Sequence, residues 1–547
     1  MKKIFLYCLT FCLLFASCSD LLDEESYSET GKGNYLNNAK EAETVLQGVY
    51  KNLANEYTYS YHLSLLFTIS TDIAQCEGSS TTSFREIPTN SHNASTSQIS
   101  RTWQQLYSAI YDANDFIETV SDRMDGWGSS DRELATIYLG EARALRALFY
   151  FELVRWYGNV VLMTSTADSR RKDETFEQTA AKDVYAYIEE DLKYAAEVLP
   201  WAVDDTRRTT NAYRFSKGAA LGLLAKVYCT WAGYPVRDES KWAEAEKAAR
   251  RVVESGKHRL ISDYETVWKN TCNGIWDAGE SLIEVSFYSP TGLDSDNTAG
   301  RIGKWNGVSA TTIDGERGRN AANWKVVYTF TRDWEAQNDP RMKLSIADYK
   351  YDHTLGSGPI TYFSTISSAN PSEDQKNRQR QLFTPGKWDT EKYVETSNYI
   401  VNNDKSNVNW YILRYSDVLL LFAEALNESG GSIVDAVDAV NAVRRRGFGD
   451  TKHDLSYGLS REDLREAIRK ERAYELCFEG HRKQDLIRWG IYYDRVMETA
   501  QELVNWYSNA NYAVARYIIK GRHELLPIPQ RDLDMMPKCK QNSGWGQ

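Results

Sequence analysis

The chain has 547 residues, 42% of them hydrophobic and 26% charged, with a formal charge of −11 at pH 7. An excess of acid disfavours nucleic acid and anionic lipid as partners, since both are polyanions, and leaves neutral ligands open. A chain this long can bury a large core, and no Pro-rich stretch, low-complexity break or second hydrophobic span marks a place to divide it.

The N-terminus supplies an address. Lys2 and Lys3 precede an apolar run from Ile4 to Phe15, too short for a bilayer core that needs about 20 apolar residues, so residues 1–17 read as a signal peptide. Phe15-Ala16-Ser17-Cys18 then brings small residues up to a cysteine. A lipoprotein-type signal peptidase cuts at such a cysteine and leaves it acylated, so Cys18 is the expected lipidation site; the plainer alternative is a non-lipidated signal cut nearby. Losing Lys2 and Lys3 takes the charge from −11 to −13. Residues 18–39 form the lipidated tether and N-terminal segment, with an acidic stretch at Asp23-Glu24-Glu25. Cys8 and Cys12 leave with the signal, and the remaining Cys76, Cys229, Cys272, Cys477 and Cys539 are spaced for neither a disulfide framework nor a zinc site. One disulfide is open to them, but the sequence does not choose the pair.

Helical periodicity dominates residues 40–255. Ala220, Leu223, Leu224, Val227, Tyr228 and Trp231 make one apolar stripe, followed after a short turn by Trp242, Ala245, Ala249 and Val252. Segments 134–157 with 183–199, and 40–54 with 101–122, follow the same plan over longer connections. Between 256 and 400 Gly, Ser, Thr, Asn and aromatics replace that texture, around one strand-like run at 281–288. Residues 401–547 return to helices, with Tyr415, Val418, Leu419, Phe422, Ala423 and Leu426 facing Ile433, Ala436, Val437 and Val440. The pattern predicts one compact fold dominated by α-helix, an irregular helical domain of about four tetratricopeptide-like helix pairs with a loop-rich insertion carrying minor β structure. No fixed period of 34 residues supports a regular solenoid.

Catalytic motifs are missing: there is no H-E-x-x-H, G-x-S-x-G, phosphate-cradling loop or dinucleotide fingerprint. The aromatic content is 12%, with 16 Trp and 35 Tyr. Aromatic faces with a few polar groups suit the C–H faces and hydroxyl edges of sugar rings. Trp103, Trp156, Trp231, Trp242 and Trp489 fall on periodic helix faces and are assigned to the core. The aromatics and polar groups left in irregular segments are Phe84 and Arg85 in the 76–100 stretch, and Tyr288, Trp305, Asn306 and Trp324 in the Gly/Ser-rich region, which is therefore the expected ligand-binding region. Asp294, Asp296 and Asn297 form a nonspecific oxygen cluster that would suit calcium, but no metal or cofactor is predicted.

Several segments resemble the SusD/RagB family of outer-membrane nutrient-binding lipoproteins, in the family's order: Gly140-Glu-Ala-Arg-Ala-Leu-Arg-Ala147, Asp339-Pro340-Arg341, Arg414-Tyr415-Ser416-Asp417, Glu471-Arg472 through Phe478-Glu479-Gly480-His481-Arg482 to Trp489, and Leu526-Pro527-Ile528-Pro529-Gln530. The charged 461–490 segment reads as structural, with helical i, i+3 pairs such as Glu475 with Arg472 and Glu479 with Arg482, and with His481 as a satisfied scaffold residue. The resemblance implies ligand contacts from the two loop regions named above, and export of the anchored protein to the outer face of the outer membrane. It further implies a binding lipoprotein, not an enzyme, that passes an oligosaccharide to a SusC-like TonB-dependent barrel. Two alternatives stand beside it: a surface glycoside hydrolase or lyase on a helical scaffold, and a RagB-like lipoprotein serving peptides.

Overall fold

The computed structural model describes residues 35–205, 214–289, 299–313, 316–356, 359–365 and 371–546. The expected signal peptide, Cys18 and the Asp294, Asp296, Asn297 cluster lie outside these residues. The chain folds into helices α1 (Ala39–Lys51), α2 (Ser97–Arg123), α3 (Ser129–Tyr157), α4 (Ala181–Val198), α5 (Lys217–Ala232), α6 (Lys241–Val253) and α7 (Tyr264–Cys272). After these come α8 (Tyr328–Glu335), α9 (Glu373–Arg380), α10 (Tyr415–Ser429), α11 (Ile433–Phe448), α12 (Arg461–Glu475), α13 (Arg482–Arg488) and α14 (Tyr492–Trp506).

Polar caps start the helices where the sequence changes register. Ser216, Ser432 and Ser460 accept from the backbone N–H of Ala219, Asp435 and Asp463, satisfying donors that a helix start leaves open. Gly430, left-handed at φ 80°, ends α10 and makes the tight turn into α11. Three of the anticipated pairs, α3 with α4, α5 with α6 and α10 with α11, pack directly. Segments 40–54 and 101–122 are helical as well, but α2 packs chiefly on α3 and α1 lies across both. Because α6 also packs on α10, the long insertion interrupts the helical stack in sequence and not in space. Gly140 marks one close approach: a Cβ there would stand 2.5 Å from Val198 of α4.

The insertion supplies short antiparallel ladders. Strand β1 (Ala74–Cys76) pairs with β3 (Trp324–Val326), and β2 (Ser281–Val285), within the anticipated strand, pairs with β6 (Trp410–Arg414). A separate hairpin joins β4 (Tyr349–Tyr351) to β5 (Ile360–Tyr362). The β1–β3 and β2–β6 ladders feed the helical core, in which one apolar cluster runs from Leu36 to Ile528 and takes in Trp268, Ile283, Trp324, Trp334 and Trp388, whereas Tyr351 of β4 packs in a small cluster of its own with Val308, Ala310 and Ala347. Trp103, Trp156 and Trp231 are buried as expected. Trp242 and Trp489 are only half-buried and line a cleft, because their helix faces end at the surface. Cys76, Cys229, Cys272, Cys477 and Cys539 are all unpaired.

A buried ion network joins the C-terminal helices. The Arg414 side chain, 0% exposed, meets Glu280 at 2.9 Å, Glu475 at 2.6 Å and Glu479 at 2.7 Å. Arg341 meets Asp339 at 2.6 Å, Glu471 at 2.7 Å and Glu475 at 2.9 Å, while Arg446 also binds Glu475. Arg472 bridges Asp417 and Asp485, and Arg488 bridges Glu424 and Asp485. The helical pairs expected for this segment are therefore not the ones formed. α12 stops at Glu475, Phe478 and Gly480 turn the chain at φ 65° and 80°, and the acids face partners from β6, α11 and the 339–341 turn. Arg482 instead grips Asp72 at 2.7 and 2.9 Å. Helical i, i+3 pairs do form elsewhere in the segment, toward solvent between Arg469 and Glu466 and inside between Arg488 and Asp485. His481 is buried with Nδ1 2.9 Å from the Lys226 ammonium. Burial, with Lys226 beside it, pushes it down to about 3, so it stays neutral.

Removing one member of a buried ion network leaves its partners uncompensated, at a typical cost of about 3–5 kcal/mol. Arg341→Ala is expected to lose that much in urea unfolding, whereas Arg465→Ala, whose partners Glu428 and Glu462 lie nearer solvent, should lose less than about 1 kcal/mol. Equal losses would mean that the network does not hold the helices together.

Acid sensitivity follows from the same interior. Burial pushes His62, His481 and His523 down to about 3 and His92 well below its usual value, whereas unfolded imidazoles titrate near 6.5. The unfolded chain therefore binds more protons between those limits, and this share of stability is complete above pH 6.5 and lost as pH falls toward 3. Glu284 and Asp389, which burial raises to about 7 and about 6, act in the opposite sense but are fewer. Below about pH 4 the network carboxylates add to the loss. Burial alone would raise Glu475, but Arg446, Arg414 and Arg341 hold it far below the usual range. The melting temperature should fall steadily from pH 6.5 to 4; a flat profile over that interval would contradict the buried neutral histidines.

Candidate functional site

Four irregular segments meet beside the β1–β3 ladder: the 55–61 turns, the stretch after β1, the 299–307 turn and the loop leading into β6. Gly300 and Ser406 exchange both backbone hydrogen bonds, at 3.0 and 2.8 Å, and Arg301 N–H donates to the Ser60 carbonyl at 3.0 Å. The turn is tied to β3, since Trp324 N–H donates to the Trp305 carbonyl at 3.1 Å. It also closes tightly, because a Cβ on Gly307 would stand 2.3 Å from the Gly303 and Trp388 carbonyl oxygens.

This backbone presents Trp305 half-buried at the surface. Its ring lies 5.0 Å from Tyr61 and 5.1 Å from Phe84, the latter edge-on at 83°. Its Nε1–H donates to Asp404 at 2.8 Å. The Arg301 guanidinium stands over both Tyr61 and Trp305 and bridges Glu56 at 2.8 Å and Asp404 at 3.3 Å. Arg85 stacks on Phe84 at 4.4 Å while its Nε donates to the Glu77 carbonyl. A ring oriented by two aromatic neighbours and one hydrogen bond needs no reordering when a ligand arrives. The result is an aromatic platform with charged donors and acceptors at its edge, a chemistry suited to stacking and hydrogen bonding.

Of the residues singled out in the sequence, Phe84, Arg85 and Trp305 are thus brought together. Asn306 and Trp324 are not available to a ligand. Asn306 is 0% exposed, with Oδ1 accepting the Gly303 N–H at 2.7 Å, so its amide is spent closing the turn. Trp324 faces the core from β3, opposite Cys76, and is 4% exposed. Tyr288 is 66% exposed and stands just before residues 290–298, which lie outside the described residues. Sequence reasoning missed Tyr61, Arg301, Asp404 and Glu56. Arg301, four residues before a loop tryptophan, offered a weak signal, whereas Glu56 and Asp404 join the site only through folding. Among the described residues, no group of three or more His, Cys, Asp or Glu side chains is arranged to hold a metal ion. No helix among them is long and apolar enough to cross a membrane.

The paired helices thus carry a surface platform of aromatic and charged side chains. The model of the SusD family matches residues 294–545, and that of a family described as starch-binding, associating with the outer membrane, matches residues 20–229. A SusD homolog from Bacteroides thetaiotaomicron, solved by crystallography, is 54% identical, with a TM-score of 0.90 over 95% of this chain and 100% of its own. SusD-like protein P2 of Formosa agariphila is 26% identical over 89% of this chain and 91% of its own. Surface glycan-binding protein A of Bacteroides thetaiotaomicron, solved in complex with laminarihexaose, shares the fold at 20% identity and a TM-score of 0.69, over 92% of this chain and 99% of its own. The chain belongs to the SusD family.

The two buried candidates should behave as structural residues. Asn306→Ala, which frees a buried N–H, is expected to cost about 1–3 kcal/mol in denaturant unfolding, and Trp324→Ala about 3–5 kcal/mol. Either variant keeping full stability would overturn this assignment.

Proposed function

We propose that the protein is a lipoprotein of the cell surface, anchored through acyl chains on Cys18, that captures an oligosaccharide or polysaccharide and delivers it to a SusC-like TonB-dependent outer-membrane barrel. The observation that carries the reading is the Trp305 platform, whose ring is fixed by Tyr61, Phe84 and Asp404 and edged by Arg301. Support comes from relatives: one is named a laminarin-binding SusD-like protein and another was solved with laminarihexaose. A matching family model carries the description starch-binding, associating with the outer membrane. A tether at Cys18 holds the platform near a pore without fixing its orientation, and capture beside the pore raises the local ligand concentration. Modest affinity is then sufficient.

Titration calorimetry against starch and laminarin oligosaccharides, with peptides included, is expected to find a saccharide ligand. Trp305→Ala should weaken that ligand by about 1–3 kcal/mol with the melting curve as a check on folding. Unchanged affinity in a folded Trp305→Ala protein would remove the platform from the site, and a peptide as sole ligand would overturn the saccharide reading. Purification from solubilised outer membrane should recover a large barrel alongside the protein.

A further inference from the structure

A second aromatic cleft opens far in sequence from the platform, between the α5–α6 turn and helices α10, α12 and α13. It measures about 250 Å³ and has Tyr234, Trp242 and Trp489, all half-buried, in its wall. Its floor is held rigid by paired charges. Arg488 donates to both Glu424 oxygens at 2.6 and 2.7 Å, the Trp489 Nε1–H donates to the same carboxylate at 2.7 Å, and Arg465 grips Glu428 at 2.7 and 2.9 Å. The turn is pinned to this floor by Tyr234 N–H donating to the Arg488 carbonyl at 2.8 Å. The approach is close, since a Cβ on Gly233 would stand 2.4 Å from that oxygen.

Two lining groups are left unspent. Among the described residues the Arg237 guanidinium has only its stacking on Tyr234, at 5.4 Å, and the Glu239 carboxylate has no hydrogen-bond or ion-pair partner. Arg237 also sits at φ 59°, a left-handed conformation that a non-glycine residue keeps only where its surroundings hold it. On the far side of the cleft Arg469 stacks over Trp489 at 5.1 Å, with its buried Nε lacking an acceptor.

Charge narrows the ligand. Arg237, Arg465, Arg469 and Arg488 face Glu239, Glu424 and Glu428, and most of this charge is already paired, so the cleft does not select a polyanion. A free donor and a free acceptor beside aromatic faces fit a neighbouring pair of hydroxyls, each of which both donates and accepts, on a ring with apolar C–H faces. We propose that this cleft is a second saccharide site that takes one neutral sugar ring, with Trp242 supplying a face and Arg237 and Glu239 reading hydroxyls. The proposal rests on the reading that the protein binds glycans. Two sites on one scaffold would let a polymer engage both and gain avidity without new contacts.

The test uses the whole mature chain and four monosaccharides, glucose, galactose, mannose and xylose, read by saturation-transfer NMR at millimolar concentration. At least one sugar is expected to receive transfer. In a Trp305→Ala background, which silences the loop platform, Arg237→Ala, an exposed substitution with little risk to folding, and Trp242→Ala should each weaken the remaining sugar binding at least tenfold. Transfer already lost in Trp305→Ala alone would assign all sugar binding to the loop platform and overturn the second site, as would transfer kept in full by both cleft variants. Absence of transfer from all four sugars to the unsubstituted protein would overturn it too, while the calorimetry with oligosaccharides still decides the proposed function separately.

Discussion

Arg414 and Glu475, both fully buried, share an ion pair at 2.6 Å on which the architecture of the C-terminal half depends. Through Arg414 the strand β6 is joined to Glu280 beside β2 and to Glu479 after α12; through Glu475 the helix α12 is joined to Arg446 of α11 and to Arg341 of the 339–341 turn. Charges taken this far from water are tolerable only with such saturation of partners. The network therefore acts as a geometric lock: each arginine fork donates to its carboxylates in few arrangements, and these arrangements set where the helices and the inserted segments stand relative to each other.

That lock matters for binding because the platform is made of loops. The turn carrying Trp305 is held by backbone bonds to Ser60, Ser406 and Trp324, and the loop carrying Asp404 leads directly into β6, which ends at Arg414. A rigid interior thus reaches the surface through short strands, and the aromatic rings stand in fixed relation without a closed pocket around them. An open platform of this kind suits a chain-like ligand that extends past the protein on both sides.

Much of the fold was legible in the sequence, since apolar periodicity of 3.6 residues is a local signal and the serine caps and Gly430 bracket the helices within a few residues. The partners of the charged residues were not legible. Glu475 and Arg472 have the spacing of a helical pair, yet the helix ends between them and the next turn, and burial gives each a partner from a distant segment. The site was legible in part for the same reason. Phe84, Arg85 and Trp305 stand out as aromatics and a cation in irregular segments, but composition does not tell an exposed loop aromatic from one on a short buried strand, as Trp324 is, or a reading amide from one that closes a turn, as Asn306 does. Glu56, Tyr61 and Asp404 come to the platform from segments up to a few hundred residues apart, and no local pattern announces them. Trp242 and Trp489 erred in the other direction, because a periodic helix face can end at the rim of a cleft.

The central claim is that ligand is held on the Trp305 platform, and hydroxyl-radical footprinting read by mass spectrometry tests it most directly. With a bound oligosaccharide, oxidation of Trp305 and Phe84 is expected to fall while half-buried aromatics outside both proposed sites, such as Tyr328 and Trp506, keep their reactivity. Undiminished oxidation of Trp305 and Phe84 at saturating ligand would contradict the account.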